Sequence, residues 1–81
     1  MAKYSPLKKQ LQGRSGLTVE FAFTEIAAWV GGLPASARRH RAWWANNPGH
    51  VQARAWLDAG WQVDDVRPEQ ARVRFRRTAA S

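Results

Sequence analysis

The chain has 81 residues, enough for a single domain around one hydrophobic core. It contains no cysteine, which excludes a disulfide framework and a thiolate zinc site, and no stretch is apolar enough for a membrane span or a signal peptide, so we expect a soluble, cytoplasmic protein. The 13 Lys and Arg residues outnumber the 6 Asp and Glu residues, and the net charge of +7 favours a polyanionic partner, most often DNA or RNA.

The first predicted elements are a helix and a strand. Ser5-Pro6 is typical of a helix start, with Ser5 as the N-cap, and Gly13 is expected to end that helix. Residues 17–23 alternate apolar and polar side chains, which predicts a strand with one buried face. Its predicted inward-facing residues are Leu17, Val19, Phe21 and Phe23.

Two more helices are predicted before a break in the chain. Thr24 is expected to cap a short helix over residues 25–30, which a glycine pair ends. Ser36 is expected to cap the next helix, over residues 37–44, which carries arginines early and two tryptophans late. The sequence Asn46-Asn47-Pro48-Gly49 then predicts a turn.

The last third of the chain predicts a helix and a hairpin. Residues 50–59 form the helix, with Gly60 as its C-cap. Two strands follow, over residues 61–66 and 71–77, and a short turn joins them. Residues 78–81 are expected to form a frayed tail of the single domain. The helix residues predicted to face the core are Val51, Ala55, Trp56 and Ala59.

This order of elements predicts a small α+β domain of winged-helix type. A helix, a strand, three helices and a terminal hairpin follow one another, so the helices are expected to pack on a short antiparallel sheet. The turn at residues 46–49 fits the short connection of a helix-turn-helix. We therefore interpret helix 50–59 as a recognition helix and the hairpin as the wing. A generic small α+β domain is the alternative.

The final strand alternates arginine with apolar residues. Because side chains alternate along a strand, Val73 and Phe75 are expected to face the core and the arginines to form a row on the other face. Neighbours in that row lie roughly 6.6–6.8 Å apart, close to the phosphate spacing of one nucleic-acid strand, and guanidinium groups suit phosphate oxygens. The alternative is a solvated face that blunts a sheet edge. The row consists of Arg72, Arg74 and Arg76, followed by Arg77.

Other polar side chains are candidates for DNA contacts. On the predicted recognition helix, Gln52 and Arg54 are of the types that read adenine and guanine edges, and His50 lies at the helix start. Arg54 and Asp58 are also spaced to pair with each other. The expected phosphate contacts are Arg38, Arg39, Arg41, Lys8 and Lys9.

The two adjacent tryptophans suggest an alternative function. Neighbouring helical residues project about 100° apart, so Trp43 and Trp44 are not both expected to be fully buried. Tryptophan and arginine are enriched in protein–protein hot spots. The alternative is therefore a protein-interaction module, such as a phage or mobile-element factor that docks on a host protein through Trp43 or Trp44. The other three tryptophans are assigned to the core: Trp29, Trp56 and Trp61.

The sequence indicates neither an enzyme nor a metal or cofactor site. The two histidines, His40 and His50, have no familiar metal-ligand spacing with Asp58, and no serine is paired with a base by its spacing. Asp64-Asp65 is interpreted as the start of the wing turn rather than as a nuclease carboxylate pair.

Several short motifs are distinctive and cover nearly the whole chain. They are Tyr4-Ser5-Pro6-Leu7, Phe23-Thr24-Glu25-Ile26, Leu33-Pro34-Ala35-Ser36-Ala37, Trp43-Trp44-Ala45-Asn46, His50, Ala55-Trp56-Leu57-Asp58-Ala59-Gly60-Trp61 and Val73-Arg74-Phe75-Arg76-Arg77. This pattern resembles a small bacterial and phage domain family with no settled function. The resemblance implies no catalytic residues. Similar segments are attached to nuclease-like or regulatory proteins, which mildly favours DNA as the partner.

Overall fold

The computed structural model describes residues 3–78, which form four α-helices, two short 3-10 helices and three strands. The elements are α1 (Ser5–Gln12), β1 (Thr18–Ala22), α2 (Phe23–Val30), α3 (Ala35–Arg39), a first 3-10 helix (Arg41–Trp44), α4 (Val51–Asp58), β2 (Trp61–Arg67), a second 3-10 helix (Pro68–Gln70) and β3 (Arg72–Arg77). The helices pack on a three-stranded antiparallel sheet that includes the hairpin formed by β2 and β3. The prediction of a small α+β domain is confirmed, whereas its winged-helix type stays a prediction.

The sheet has the strand order β1-β3-β2, and both pairings are antiparallel. The C-terminal strand is therefore the central one. A β-bulge between Val63 and Asp65 inserts Asp64 into β2. Because a bulge redirects a side chain, Asp64 reaches Arg74 on the outer face of the sheet.

Aromatic rings supply most of the volume of the core. Val73 and Phe75 of β3 line the sheet side of the core, as the alternation predicts, and on the helix side α1 packs against α2 and α4. The three indole N–H groups of fully buried tryptophans all donate hydrogen bonds, which removes the cost of burying them. Their acceptors are Ala37 O for Trp44 at 2.8 Å, Asn46 Oδ1 for Trp56 at 3.0 Å and Leu11 O for Trp61 at 3.0 Å.

The N-caps of the first two helices differ from those predicted, whereas Gly13 and Gly31 end these helices as predicted. The first residue of α1 is Ser5 itself, with Tyr4 as the N-cap. The first residue of α2 is Phe23, which the alternation had placed in the strand. The carboxylate of Glu25 accepts a hydrogen bond from Ala22 N at 2.9 Å, so Glu25 caps this helix instead of Thr24.

The predicted helix over residues 37–44 is interrupted. The N-cap of α3 is Pro34 rather than Ser36, and His40 is extended, with φ −122° and ψ 121°. A continuous helix would point the two tryptophan rings about 100° apart. In the 3-10 helix that follows the break, neighbouring residues still project roughly 120° apart. The rings of Trp43 and Trp44 meet edge-on at 4.7 Å between centroids, with Trp44 fully buried and Trp43 half-buried against the core, so the two are not both fully buried, as predicted.

Two apolar residues that were predicted to face inward are exposed. Leu17 is 77% exposed because it precedes β1 at a corner of the sheet, and Val51 is 64% exposed. The orientation of α4 is set by Ala53 and Trp56, which are fully buried, and this turns Val51 outward.

The C-terminal end of the described chain is held in place. Thr78 donates to Gly60 O through its backbone N at 2.9 Å and through its hydroxyl at 3.1 Å. The other residues of the predicted frayed tail, 79–81, lie outside the described residues. Within residues 3–78, no helix is long and apolar enough to cross a membrane.

Candidate nucleic-acid interface

The arginine row lies on the outer face of β3, as predicted. The side chains of Arg72, Arg74 and Arg76 are 46%, 44% and 56% exposed. Since β3 is the central strand, the row cannot serve to blunt a sheet edge. It is instead flanked by side chains of β1 and β2.

Those flanking side chains are largely acidic and pair with the arginines. The Nε group of Arg72 donates to Glu20 on β1, and that of Arg74 donates to Asp64 on β2 at 2.8 Å. Asp64 also lies 4.0 Å from Arg76. In addition, Arg67 Nε donates to Asp65 at 2.9 Å, and this hydrogen bond holds the pKa of the Asp65 carboxyl below its usual value. We call these residues the sheet face: Glu20, Asp64, Asp65, Arg67, Arg72, Arg74 and Arg76.

The pairing on the sheet face has two opposite consequences for phosphate binding. Four arginines face three acids, so little net charge remains to attract a polyanion at a distance. However, a guanidinium has five N–H donors, and the closest contacts to the acids are made by Nε. The terminal amino groups can therefore still donate to a second acceptor, with the acids fixing their direction.

A cavity on the sheet face is too small for most organic ligands. It has a volume of about 190 Å³ and is lined by residues that include Glu20, Arg67, Gln70 and Arg72. Small-molecule sites usually span roughly 300–1,000 Å³. The sheet face therefore suits a ligand that lies across the surface better than one that is enclosed.

Arg77 does not belong to the row. Its guanidinium lies over the ring of Trp61, 4.3 Å from the centroid. It donates to Gly16 O and to Arg14 O, both at 2.9 Å. Arg77 thus holds the loop before β1 and is half-buried, and its role as a nucleic-acid contact stays a prediction.

The outer face of α4 differs in part from the prediction. His50 is the exposed N-cap, and Arg54 pairs with Asp58 at 3.5 Å, so the pairing anticipated from their spacing is present. Gln52 was predicted to face solvent, but it is half-buried and its Nε2 donates to Trp43 O at 3.1 Å. Its place on the exposed stripe, beside Arg54, is taken by Val51.

The arginines of α3 are placed differently from those of the sheet. Arg38 and Arg39 are exposed, and within residues 3–78 no acidic side chain lies within 4.0 Å of either. Arg41 lies 4.0 Å from Glu69 in the hairpin turn, and both side chains are about two-thirds exposed. Such a surface pair is worth about 0–1 kcal/mol, so Arg41 remains available to another anion.

The excess positive charge therefore has a definite location. Five of the six acidic residues lie within 4.0 Å of an arginine, and the sixth, Glu25, caps α2. The segment 3–14 carries four cations and no acid. Within residues 3–78, eight cations are left over after this pairing, and Arg76 is counted among them because it shares Asp64 with Arg74. They are Lys3, Lys8, Lys9, Arg14, Arg38, Arg39, Arg76 and Arg77.

The tryptophan pair has one fully buried and one half-buried member, which confirms that the two are not both fully buried. Trp44 is 1% exposed and stacks with Phe23 and Trp56, at centroid distances of 5.2 and 5.8 Å, so it cannot contact a partner. Trp43 is half-buried, with its ring edge-on to that of Tyr4 at 5.8 Å. Trp43 alone of the pair can contribute to an interaction surface.

Sequence reasoning missed the main role of Asn46. Its Oδ1 accepts hydrogen bonds from Trp56 Nε1 at 3.0 Å and from Val63 N at 2.8 Å, and its Nδ2 donates to Val63 O at 3.0 Å. The sequence signal was the position of Asn46 at a helix break, which indicated only a turn cap. Within residues 3–78, no group of three or more His, Asp or Glu side chains could hold a metal ion.

Fold and surface together define a small basic α+β domain whose acidic residues are almost all paired. The chain belongs to the family described as "Domain of unknown function (DUF7662)", whose model matches residues 4–78. No curated protein and no solved structure matches the chain significantly. The predicted membership of a small uncharacterised family is confirmed, and the family supplies no activity or partner.

Proposed function

We propose that this domain is a non-enzymatic, cytoplasmic protein that binds double-stranded DNA in the manner of a winged helix. The observation that carries the proposal is the location of the excess charge. Eight cations lie outside the one-to-one ion pairs of residues 3–78, and together with Glu25 they account for the net charge of +7; Arg38 and Arg39 among them are exposed on α3. Unpaired surface cations are the groups that replace counterions on DNA.

In this proposal α4 enters the major groove. Its exposed stripe begins at His50 and Val51 and continues through Arg54. An arginine reads guanine by a bidentate contact, and an apolar side chain packs on the thymine methyl group. Arg54 can make such a contact because its ion pair with Asp58 is solvent-exposed and therefore costs little to open.

The phosphate backbone is contacted by two groups of arginines. Arg38, Arg39 and Arg41 lie on or next to α3, and Arg74 and Arg76 lie on the sheet face. If about six phosphates are neutralised, log K should fall with log salt at a slope of about −5. RNA is recognised by the same residue types, and a matched RNA duplex distinguishes it from DNA.

The test is a titration of the intrinsic tryptophan fluorescence with a mixed-sequence DNA duplex at several salt concentrations. Changing Arg38 and Arg39 to alanine removes two phosphate contacts and should reduce the salt slope by about 1.8. Between roughly 50 and 200 mM salt, the affinity advantage of the wild type over this variant should then shrink about twelvefold.

The second variant replaces Arg74 and Arg76 with alanine and so removes the same charge from the sheet face. It should weaken binding to every sequence and also reduce the slope. Unchanged affinity in this variant excludes the sheet face from the interface. Unchanged affinity in both double variants, or no binding of the wild type at low salt, refutes DNA binding.

The alternative is a protein-interaction module that uses Trp43, which keeps part of its surface exposed between Tyr4 and α4. This alternative predicts a complex whose affinity depends little on salt. The Trp43→Phe variant should weaken such a complex while leaving the DNA titration unchanged.

A further inference from the structure

Among residues 3–78, no strand pairs with the outer edge of β1. At the two ends of the β1–β3 pairing, Arg77 N donates to Leu17 O and Phe23 N donates to Ala71 O, both at 2.8 Å. Antiparallel strands alternate between residues bonded to the partner and residues whose backbone groups point away. The odd-numbered residues of β1 therefore bond to β3, and the even-numbered ones face outward.

Two of the outward-facing residues have free backbone groups. The N–H of Ala22 is bound by the Glu25 carboxylate, which confirms the direction of the even positions. The N–H and C=O groups of Thr18 and Glu20 have no hydrogen-bond partner within residues 3–78, and both residues are exposed. Four backbone hydrogen-bonding groups are thus available along this edge.

The other edge of the sheet is treated differently. On β2, the side chain of Asn46 binds both the N–H and the C=O of Val63, as a neighbouring strand would. Proteins commonly block open edges in this way to prevent unwanted pairing. Within residues 3–78, the β2 edge is thus covered at Val63, whereas the opposite edge of the sheet, on β1, is open at Thr18 and Glu20.

An apolar strip runs along the open edge on the core side of the sheet. Leu17 is 77% exposed, and Val19 and Trp29 are half-buried. The Trp29 ring packs edge-on against Phe21, with 4.9 Å between centroids, which places it beside β1. A strand added to this edge would lay every second side chain on the strip.

We propose that the outer edge of β1 binds an extended segment of an acidic partner protein by β-strand addition. Backbone hydrogen bonds to Thr18 and Glu20 provide affinity, and the apolar strip provides specificity for β-branched residues. The acidic character follows from charge at one end of the edge: the protein carries +7, and Arg14 and Arg77 lie at the Leu17 end, whereas the Glu25 carboxylate lies at the Ala22 end. The acidic residues of the partner are therefore expected beside Leu17. A second copy of the chain would bring the same charge and is disfavoured as the occupant.

The probe is a synthetic peptide of alternating valine and threonine with glutamates at its C-terminal end, which lies beside Leu17 when the peptide pairs antiparallel to β1. Amide NMR spectra of the full chain are recorded during its titration, and hydrogen exchange is followed at the Thr18 and Glu20 amides. We expect both amides to shift and to exchange more slowly. The same peptide with N-methylated backbone positions should not bind, because its inward-facing donors are blocked.

The diagnostic variant is Thr18→Pro, which deletes one outward N–H at a position where an edge strand tolerates proline. Loss of one backbone hydrogen bond should weaken the peptide about tenfold. The matched control, Thr18→Val, keeps the N–H group and should bind like the wild type. Circular dichroism establishes that both variants are folded.

The proposal that β1 binds an added strand does not depend on DNA binding. Three results would overturn it. Absence of shifts at Thr18 and Glu20 at about 1 mM peptide excludes the edge as a docking site, because this concentration detects affinities as weak as about −4 kcal/mol. Equal binding by a lysine-flanked peptide excludes an acidic partner. A dimer in sedimentation that Thr18→Pro abolishes assigns the edge to a second copy.

Discussion

Substitution of Asn46 tests whether its side chain joins the tryptophan core to β2. In Asn46→Ala, three hydrogen bonds disappear, two of them with the backbone of Val63 and one with Trp56 Nε1. Water can replace the partners of Val63, because that contact is exposed. It cannot easily replace the partner of Trp56, whose ring is fully buried.

The expected cost follows from these two environments. The two solvent-accessible bonds contribute about 0.5–1 kcal/mol each, and the unsatisfied indole N–H costs about 1–3 kcal/mol. Together, Asn46→Ala should lower the free energy of unfolding by about 3 kcal/mol. With a urea m-value of about 1 kcal/mol/M for a domain of this size, the midpoint should move by about 3 M.

The measurement is urea unfolding followed by tryptophan fluorescence and by circular dichroism. Asn47→Ala is the matched control, because within residues 3–78 the side chain of Asn47 makes one hydrogen bond, which is exposed and which its Oδ1 accepts from Gly49 N at 2.9 Å. This control should lose about 0.5–1 kcal/mol. If the two variants lose equal stability, Asn46 does not join the core to β2 as described.

Three further predictions concern pH and backbone conformation. The hydrogen bond from Arg67 lowers the pKa of Asp65 below 3.8, so the ionised carboxylate stabilises the fold above pH 3.8 and this stabilisation is lost as pH falls through the lower, folded-state pKa. Asp65→Asn should therefore flatten the acid side of a plot of unfolding free energy against pH. A plot that is the same for the variant and the wild type would contradict this. Burial raises the pKa of Tyr4 above 10.0, so stability should fall as pH rises past 10.0, and Tyr4→Phe should remove that fall in alkaline urea titrations. Ala71 has φ 54°, in the left-handed region, so Ala71→Gly should raise the free energy of unfolding by up to about 1 kcal/mol, and a lower melting temperature would show that packing of the methyl group matters more.

The pairing of the arginine row changes what the composition implies. From the composition alone, the net charge of +7 would be expected to centre on the arginine row of β3. Instead, acids from β1 and β2 surround the row, and the unmatched charge lies mainly on segment 3–14 and on α3. Segment 3–14 should therefore be included in any mapping of a polyanion surface, although sequence reasoning singled out only Lys8 and Lys9 there.

Local patterns in the sequence were sufficient for the type and approximate position of most elements. The alternation of residues 72–77 correctly separated Val73 and Phe75 from the arginines, because a strand has a fixed period of two. Alternation failed at Leu17, since a period says which side a residue faces and not whether anything covers it there.

The sequence by itself determined a basic, cysteine-free α+β domain, the spacing of its arginine row and the pairing of Arg54 with Asp58, because all of these depend on composition or on neighbours within a few residues. Tertiary structure decided the rest. Glu20 meets Arg72 across 52 positions of the chain, and Asn46 meets Val63 across 17. The tertiary structure also decided that β3 lies in the centre of the sheet and that, within residues 3–78, the edge of β1 stays open. Such contacts depend on strand order and helix orientation, which the packing of the whole core selects and no local period encodes.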